Sequence, residues 1–134
     1  MATIKTIYLG KLRTESEHLQ SGNKVITDAP LDNQGRGEFF SPTDLLATSL
    51  GSCIMSIMGI KARDSGIDLE GTEVEVTKIM ASDPRRVAKV IVEFNFPDKG
   101  YSEEDKEIVE SVAGVSPVPL SLHPDLIQTI KFNW

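Results

Sequence analysis

Cys53 offers the most chemistry in this sequence. It is the one thiol among 134 residues, so the chain has neither an internal disulfide nor a zinc site built from cysteines. A free thiol of this kind is either a small hydrophobe packed into a core or, once ionised, a nucleophile, and ionisation needs positive charge close by. Cys53 falls in the middle of a long apolar run. At helical spacing its neighbours are Ser49, Leu50, Ser56 and Ile57. A helix dipole fades after the first turn, so the charge must come from a side chain folded over the sulfur. The preceding segments supply Arg13 and Arg36, either of which is by default a solvated surface arginine.

Other residue patterns carry less. His18 and His123 are the only histidines; they lie far apart, and His123 precedes Pro124 in what should be an extended loop. We expect no metal. Gly35-Arg36-Gly37 lacks the G-x-G-x-x-G frame, and no strand–turn–helix surrounds it, so no phosphate loop and no cofactor are expected. Arg85-Arg86 follows Asp83-Pro84 and reads as a solvated turn tip.

These residues must be positioned by a small set of elements. Residues 3–12 and 23–28 are rich in β-branched and aromatic types and read as strands, and 29–37 is a loop marked by Pro30, Asn33, Gly35 and Gly37. Ser41-Pro42 is a helix start, with a hydroxyl cap, proline at the first position and Asp44 in the first turn. No charge follows from Leu45 to Ile60; Lys61 and Arg63 then close the helix and Gly66 stops it. The uncharged stretch is shorter than the roughly 20 residues of a membrane span, and its small and hydroxyl residues favour a helix buried on most sides, with another backbone close by. Val74 and Val76 alternate with Glu73 and Glu75, and Val90, Val92, Phe94 and Phe96 alternate with Lys89, Ile91, Glu93 and Asn95, which predicts a hairpin with one buried face. An amphipathic helix begins at Ser102 with Ile108, Val109 and Val112 as its stripe. Residues 116–120 should be extended by Pro117 and Pro119. Residues 127–134 close the chain as a strand. The order is strands, long buried helix, hairpin, amphipathic helix, strand: an α+β fold in a single domain, 1–134.

Composition bounds the function. Apolar residues make up 40% and charged residues 25%, and the net charge is −6. This is a globular chain whose acidic balance argues against nucleic acid and anionic membrane as partners. The start shows no signal-peptide pattern, so a cytoplasmic location is expected.

Four stretches together resemble one family: Ser41–Cys53 (Ser-Pro-Thr-Asp-Leu-Leu-Ala-Thr-Ser-Leu-Gly-Ser-Cys), Ser21–Pro30, Asp83–Arg86, and Ser116–Pro124 (Ser-Pro-Val-Pro-Leu-Ser-Leu-His-Pro). They are similar to the OsmC/Ohr family, the osmotically inducible and organic hydroperoxide resistance proteins, and closest to its broader OsmC-like branch. The resemblance implies an intertwined homodimer with long helices packed centrally and active sites at the subunit interface. It also implies reduction of organic hydroperoxides by a thiol: one cysteine attacks the outer oxygen and becomes a sulfenic acid, and a second condenses with it to a disulfide. An arginine stabilises the charges and a glutamate orients it. Cys53 matches the attacking cysteine, and Arg36 or Arg13 the arginine. Ser116 stands where the second cysteine belongs, and Thr43 where the glutamate would be, with Asp44 about 100° around the helix. A one-cysteine cycle remains, in which an external thiol resolves oxidised Cys53. Two other readings compete with it: a non-catalytic binding or redox-sensing protein with an apolar pocket near Phe39, Phe40 and Met55, and a structural Cys53 that merely fills core.

Overall fold

The computed structural model describes residues 1–134. Along the chain run β1 (Ile4–Gly10), β2 (Arg13–His18), β3 (Lys24–Asp28), α1 (Pro42–Asp64), β4 (Glu73–Ala81), β5 (Arg86–Asn95), α2 (Glu103–Glu110), α3 (Pro117–Ser121) and β6 (Ile127–Asn133). The fold is α+β, as the sequence pattern predicts. By contact density the chain divides into two units, Met1–Leu46 and Ala47–Trp134, with the boundary inside α1.

The first unit carries an antiparallel meander, β1-β2-β3. Two strands are expected here and three are found. β2 reads Arg-Thr-Glu-Ser-Glu-His, with no apolar residue to mark a buried face. It is a strand because it pairs on both sides. Gly10 opposes Arg13, so Lys11 and Leu12 form a two-residue turn, both at positive φ, as tight hairpins require. The Tyr8 hydroxyl accepts the Leu12 N–H at 3.2 Å. Within residues 1–46 the buried side chains are Thr27, Asp28 and Ser41, all polar, while Ile4, Ile7, Tyr8, Leu9, Phe39 and Phe40 are exposed.

The second unit carries the apolar core. β5 is its middle strand, antiparallel to β4 and parallel to β6. Val90, Val92 and Phe94 are fully buried and Phe96 nearly so. Phe94 stacks on Phe132 and Phe96, and Trp134 lies on Phe96 with ring centroids 3.7 Å apart. Burying each such ring is worth about 1.5–3 kcal/mol.

α1 begins as expected. The Ser41 hydroxyl accepts the Asp44 N–H at 3.0 Å and the Asp44 carboxylate accepts the Ser41 N–H at 2.9 Å, a reciprocal cap. At the far end Gly66 takes φ +73° while the Ile67 N–H returns to the Ala62 carbonyl. Along the helix Leu50, Ile54, Met58 and Ala62 are buried. The expectation of burial on most sides is not met within one chain, because Thr48, Ser49, Ser52, Ser56 and Ile60 lie open. Hydroxyl-bearing positions populate that outer face, and no element of the second unit covers them. The helix is long and apolar enough to span a membrane by length and composition. One side of it packs on the sheet, where Gly51 lies against Val74, Val76 and Val92.

α2 starts at Ser102, which exchanges capping hydrogen bonds with Asp105. The stretch after it corrects the sequence reading. Residues 117–121 form a short helix, not an extended segment. Ser116 itself is extended (ψ 149°), as a residue before proline should be. Pro117 and Pro119 fall within the first turn, where a missing N–H is no loss.

At Gly51 an added Cβ would lie 2.9 Å from Val76 Cγ2 and 3.3 Å from Val74 Cγ1, and β-branched valines yield little. Gly51→Val should therefore lower stability by about 1–3 kcal/mol through overpacking, read as an earlier denaturant midpoint at unchanged slope. A gain in stability would show that α1 is not seated on this sheet.

Candidate functional site

Cys53 occupies the middle of α1, half-buried and with a free thiol. What faces it follows from the composition of α3. The first turn of a helix leaves its N–H groups without partners. In α3 the first and third residues are prolines, so Val118 holds the one free donor there, and the Leu120 N–H already returns to the Ser116 carbonyl at 3.3 Å. The Val118 N–H points at Cys53 Sγ, 3.5 Å away. The Ser-Pro-Val-Pro stretch thus delivers a single amide to the sulfur.

Ser116, expected at the second-cysteine position, is fully buried at the start of α3. Its hydroxyl donates to the Ala113 carbonyl at 3.2 Å. The structure therefore brings the 116–118 segment to Cys53, with the serine side chain turned into its own turn.

Arg13 and Arg36 both belong to the first unit, and they differ sharply. Arg13 opposes Asp28 in the β2–β3 register. Its Nε and Nη2 donate to the two oxygens of Asp28 at 2.7 and 2.8 Å, and Nη2 also reaches Glu38 at 3.3 Å. The guanidinium carbon stands 4.8 Å from the centre of the Phe39 ring, a cation–π arrangement. With its side chain 18% exposed, Arg13 is not the solvated arginine that default reading assigns. Arg36 is exposed, on the loop that returns to β3, and its charge is felt at Asp28.

Asp28 is the residue that sequence reasoning missed. It has no exposed surface. Besides Arg13 it accepts the Glu38 N–H at 3.1 Å. The Arg13 guanidinium, bonded to it, holds its carboxyl below the usual range, and the Glu38 amide and the charge of Arg36 act the same way against the cost of burial. Reciprocally, Asp28 raises Arg13 further above its ordinary value. Thr43, by contrast, has its hydroxyl within 3.2 Å of the Ser41 hydroxyl at the helix cap. Asp44 is spent on the Ser41 amide.

Of the residues named for an apolar pocket, Phe39 lies against Arg13 and Phe40 is exposed. Met55 lines an open groove of about 450 Å³ with Thr48, Ser52, Ser56, Val74 and Val76.

Comparison with known proteins adds to this geometry. The family model for OsmC-like proteins matches residues 35–130. The chain belongs to the OsmC-like protein family. A solved structure from Psychrobacter arcticus, named for osmotic stress induction and a detoxification response, is similar to it at 53% identity and TM-score 0.93, over 98% of this chain and 96% of that one. Two more distant OsmC/Ohr proteins share the fold. They are the organic hydroperoxide resistance proteins of Legionella pneumophila (17% identity, TM-score 0.76, 100% and 98% covered) and Elizabethkingia anophelis (15%, 0.75, 99% and 96%). Among curated proteins none matches in sequence. As an OsmC-like protein, the chain falls within a redox family.

The Asp28–Arg13 pair makes a prediction about acid. Because the folded-state carboxyl sits below its unfolded value, its contribution to stability is present above about pH 4 and is lost as pH falls through the lower folded value. Asp28→Asn should remove that part of the acid limb. An acid titration by circular dichroism should show a shallower loss of structure below about pH 4 in the variant; identical slopes would mean the pair is not formed in solution.

Proposed function

We propose that this OsmC-like protein reduces organic hydroperoxides by a one-cysteine, thiol-dependent cycle. The observation that carries it is the half-buried Cys53 sulfur with the Val118 amide aimed at it. A hydrogen-bond donor fixed on a sulfur suits one that carries negative charge during reaction. The neighbours named for organic hydroperoxide resistance support the substrate class.

In the first step the Cys53 thiolate attacks the outer oxygen of R–O–O–H. A sulfur–oxygen bond forms, the oxygen–oxygen bond breaks, and the alkoxide leaves and takes up a proton as R–OH. Cys53 is now a sulfenic acid. Ser116 has no sulfur to condense with it. An external thiol therefore attacks, releasing water and leaving a mixed disulfide, and a second equivalent frees Cys53 and carries away the oxidised thiol. An arginine of the N-terminal segment, Arg13 or Arg36, supplies the positive charge across a subunit seam. The second protomer is also what the exposed apolar residues of β1, Ile4, Ile7, Tyr8 and Leu9, call for, since a run of exposed apolar side chains is normally covered. A homodimer working in the cytoplasm, with no metal and no cofactor, is the assembly proposed.

Exposure of the protein to cumene hydroperoxide should add one oxygen to Cys53 in intact-mass measurement, and Cys53→Ser should add none. A thiol that stays unmodified at micromolar oxidant would leave the binding or sensing role in place of the peroxidase. Ser116→Cys gives a second test. The 116–118 segment already reaches Cys53, so the variant should gain turnover with a dithiol, measured as peroxide consumption, and form a disulfide after one equivalent of oxidant.

A further inference from the structure

We propose that Gln128 is a positioning residue for Cys53, acting through α3. The inference rests on the reading above, in which the Val118 amide serves the sulfur during reaction, and every residue it uses belongs to the second unit. α3 has five residues, too few to be stable by its own hydrogen bonds. Its start is tied to the preceding turn, where the buried Ser116 hydroxyl donates to the Ala113 carbonyl. Within it the Leu120 N–H returns to the Ser116 carbonyl, and the Ser121 hydroxyl donates to the Pro117 carbonyl at 2.7 Å. These bonds shape the segment and leave its distance from the sheet open. Gln128, on β6, closes that distance. Its Nε2 donates to the Pro119 carbonyl at 3.1 Å, one of the carbonyls that a helix end leaves without a returning N–H. Pro119 directly follows Val118, whose N–H donates to Cys53 Sγ at 3.5 Å.

The place of Gln128 in β6 supports this. Side chains alternate along a strand, so Gln128 shares a face with Ile130 and Phe132. In the parallel register with β5 these three oppose Val90, Val92 and Phe94, all fully buried. A glutamine departs from the apolar pattern of that face, and an amide drawn out of water costs stability unless its hydrogen bonds are made. Packing alone is served by a hydrocarbon side chain. What the glutamine adds is a donor that fixes α3. The bond from Val118 to the sulfur weakens steeply with distance and angle, and a donor on the charged form of a group favours that form. Whatever holds α3 in place therefore sets how well the sulfur carries charge.

The experiment compares the wild type, Gln128→Met, Gln128→Glu and Tyr101→Phe. Gln128→Met keeps the length and removes the donor; Gln128→Glu keeps the shape and, once ionised, can only accept. Tyr101→Phe removes another side-chain bond to a main-chain carbonyl of the same unit, that of Asp68 at 2.6 Å, and controls for lost stability. Three readouts are taken: Cys53 alkylation by iodoacetamide across pH, Cys53 oxidation by cumene hydroperoxide, and the NMR resonance of the Val118 amide. Thermal melts check that each variant folds. Both Gln128 variants should displace the alkylation profile to higher pH, slow oxidation by about threefold to tenfold, and shift the Val118 amide proton as its bond to the sulfur loosens. Tyr101→Phe should keep both rates within about twofold, with profile and resonance in place. Folded Gln128 variants with the wild-type profile and Val118 resonance overturn the proposal, as does an equal displacement in Tyr101→Phe. Should either Gln128 variant fail to fold, Gln128→Asn keeps the amide but falls one methylene short of Pro119. It should then show the displaced profile, and wild-type behaviour would overturn the proposal. A wild type inert to hydroperoxide, with profile and resonance still moved by Gln128→Met, removes the peroxidase reading and leaves the coupling of Gln128 through α3 to Cys53 standing.

Discussion

A carboxylate with no access to water, bonded through both oxygens to the arginine opposite it, is the constraint on which the N-terminal half of this protein turns. The pairing of Arg13 with Asp28 is a matter of strand register. Side chains alternate between faces, so a slip of one residue between β2 and β3 would carry Asp28 away from Arg13 and leave a buried charge alone. The register is therefore tied to the ion pair, and the surrounding backbone is tied to both. The Asp28 N–H donates to Phe40 and the Ala29 N–H to Leu12, so the end of β3 is held between the β1–β2 turn and the segment leading into α1. The loop beyond it folds back so tightly that a Cβ on Gly35 would lie 1.7 Å from the Ala29 carbonyl oxygen. Only glycine permits that approach.

The thiol side of the molecule rests on different physics. Cys53 is fixed by a helix whose buried stripe of Leu50, Ile54 and Met58 seats it on an apolar sheet. Its hydrogen-bond donor comes from a short helix in which two prolines have removed the competing amides. An N–H that would otherwise go to water or to a cap is left with the sulfur as its acceptor. The two units are thus held by unlike means: apolar packing around a helix that fixes a sulfur in one, charge and two-bond geometry around a guanidinium in the other.

Much of this was legible in the sequence, for reasons that also explain what was not. α1 announced itself through Ser41-Pro42, Asp44, its closing cations and Gly66, because caps and dipole act over a few neighbouring residues. The hairpin was visible because Val90, Val92 and Phe94 alternate strictly and are the residues that lose all exposure. β2 was hidden because its evidence is cross-strand pairing, which a polar run does not display. The sequence predicts an extended segment at α3 because each proline argues against helix at the residue before it, whereas the prolines occupy first-turn positions where that argument lapses. Asp28 looked like an ordinary strand end. Nothing local marks an aspartate whose partner lies fifteen residues earlier, and the family resemblance points instead to the helix start, at Thr43 and Asp44.

The burial pattern gives the last step. In residues 1–46 the chain buries polar groups and leaves Ile4, Ile7, Tyr8, Leu9 and Phe40 in the open, the reverse of what an independent fold does. The segment is held in shape by hydrogen bonds and charge, with its apolar side chains outside any core of its own.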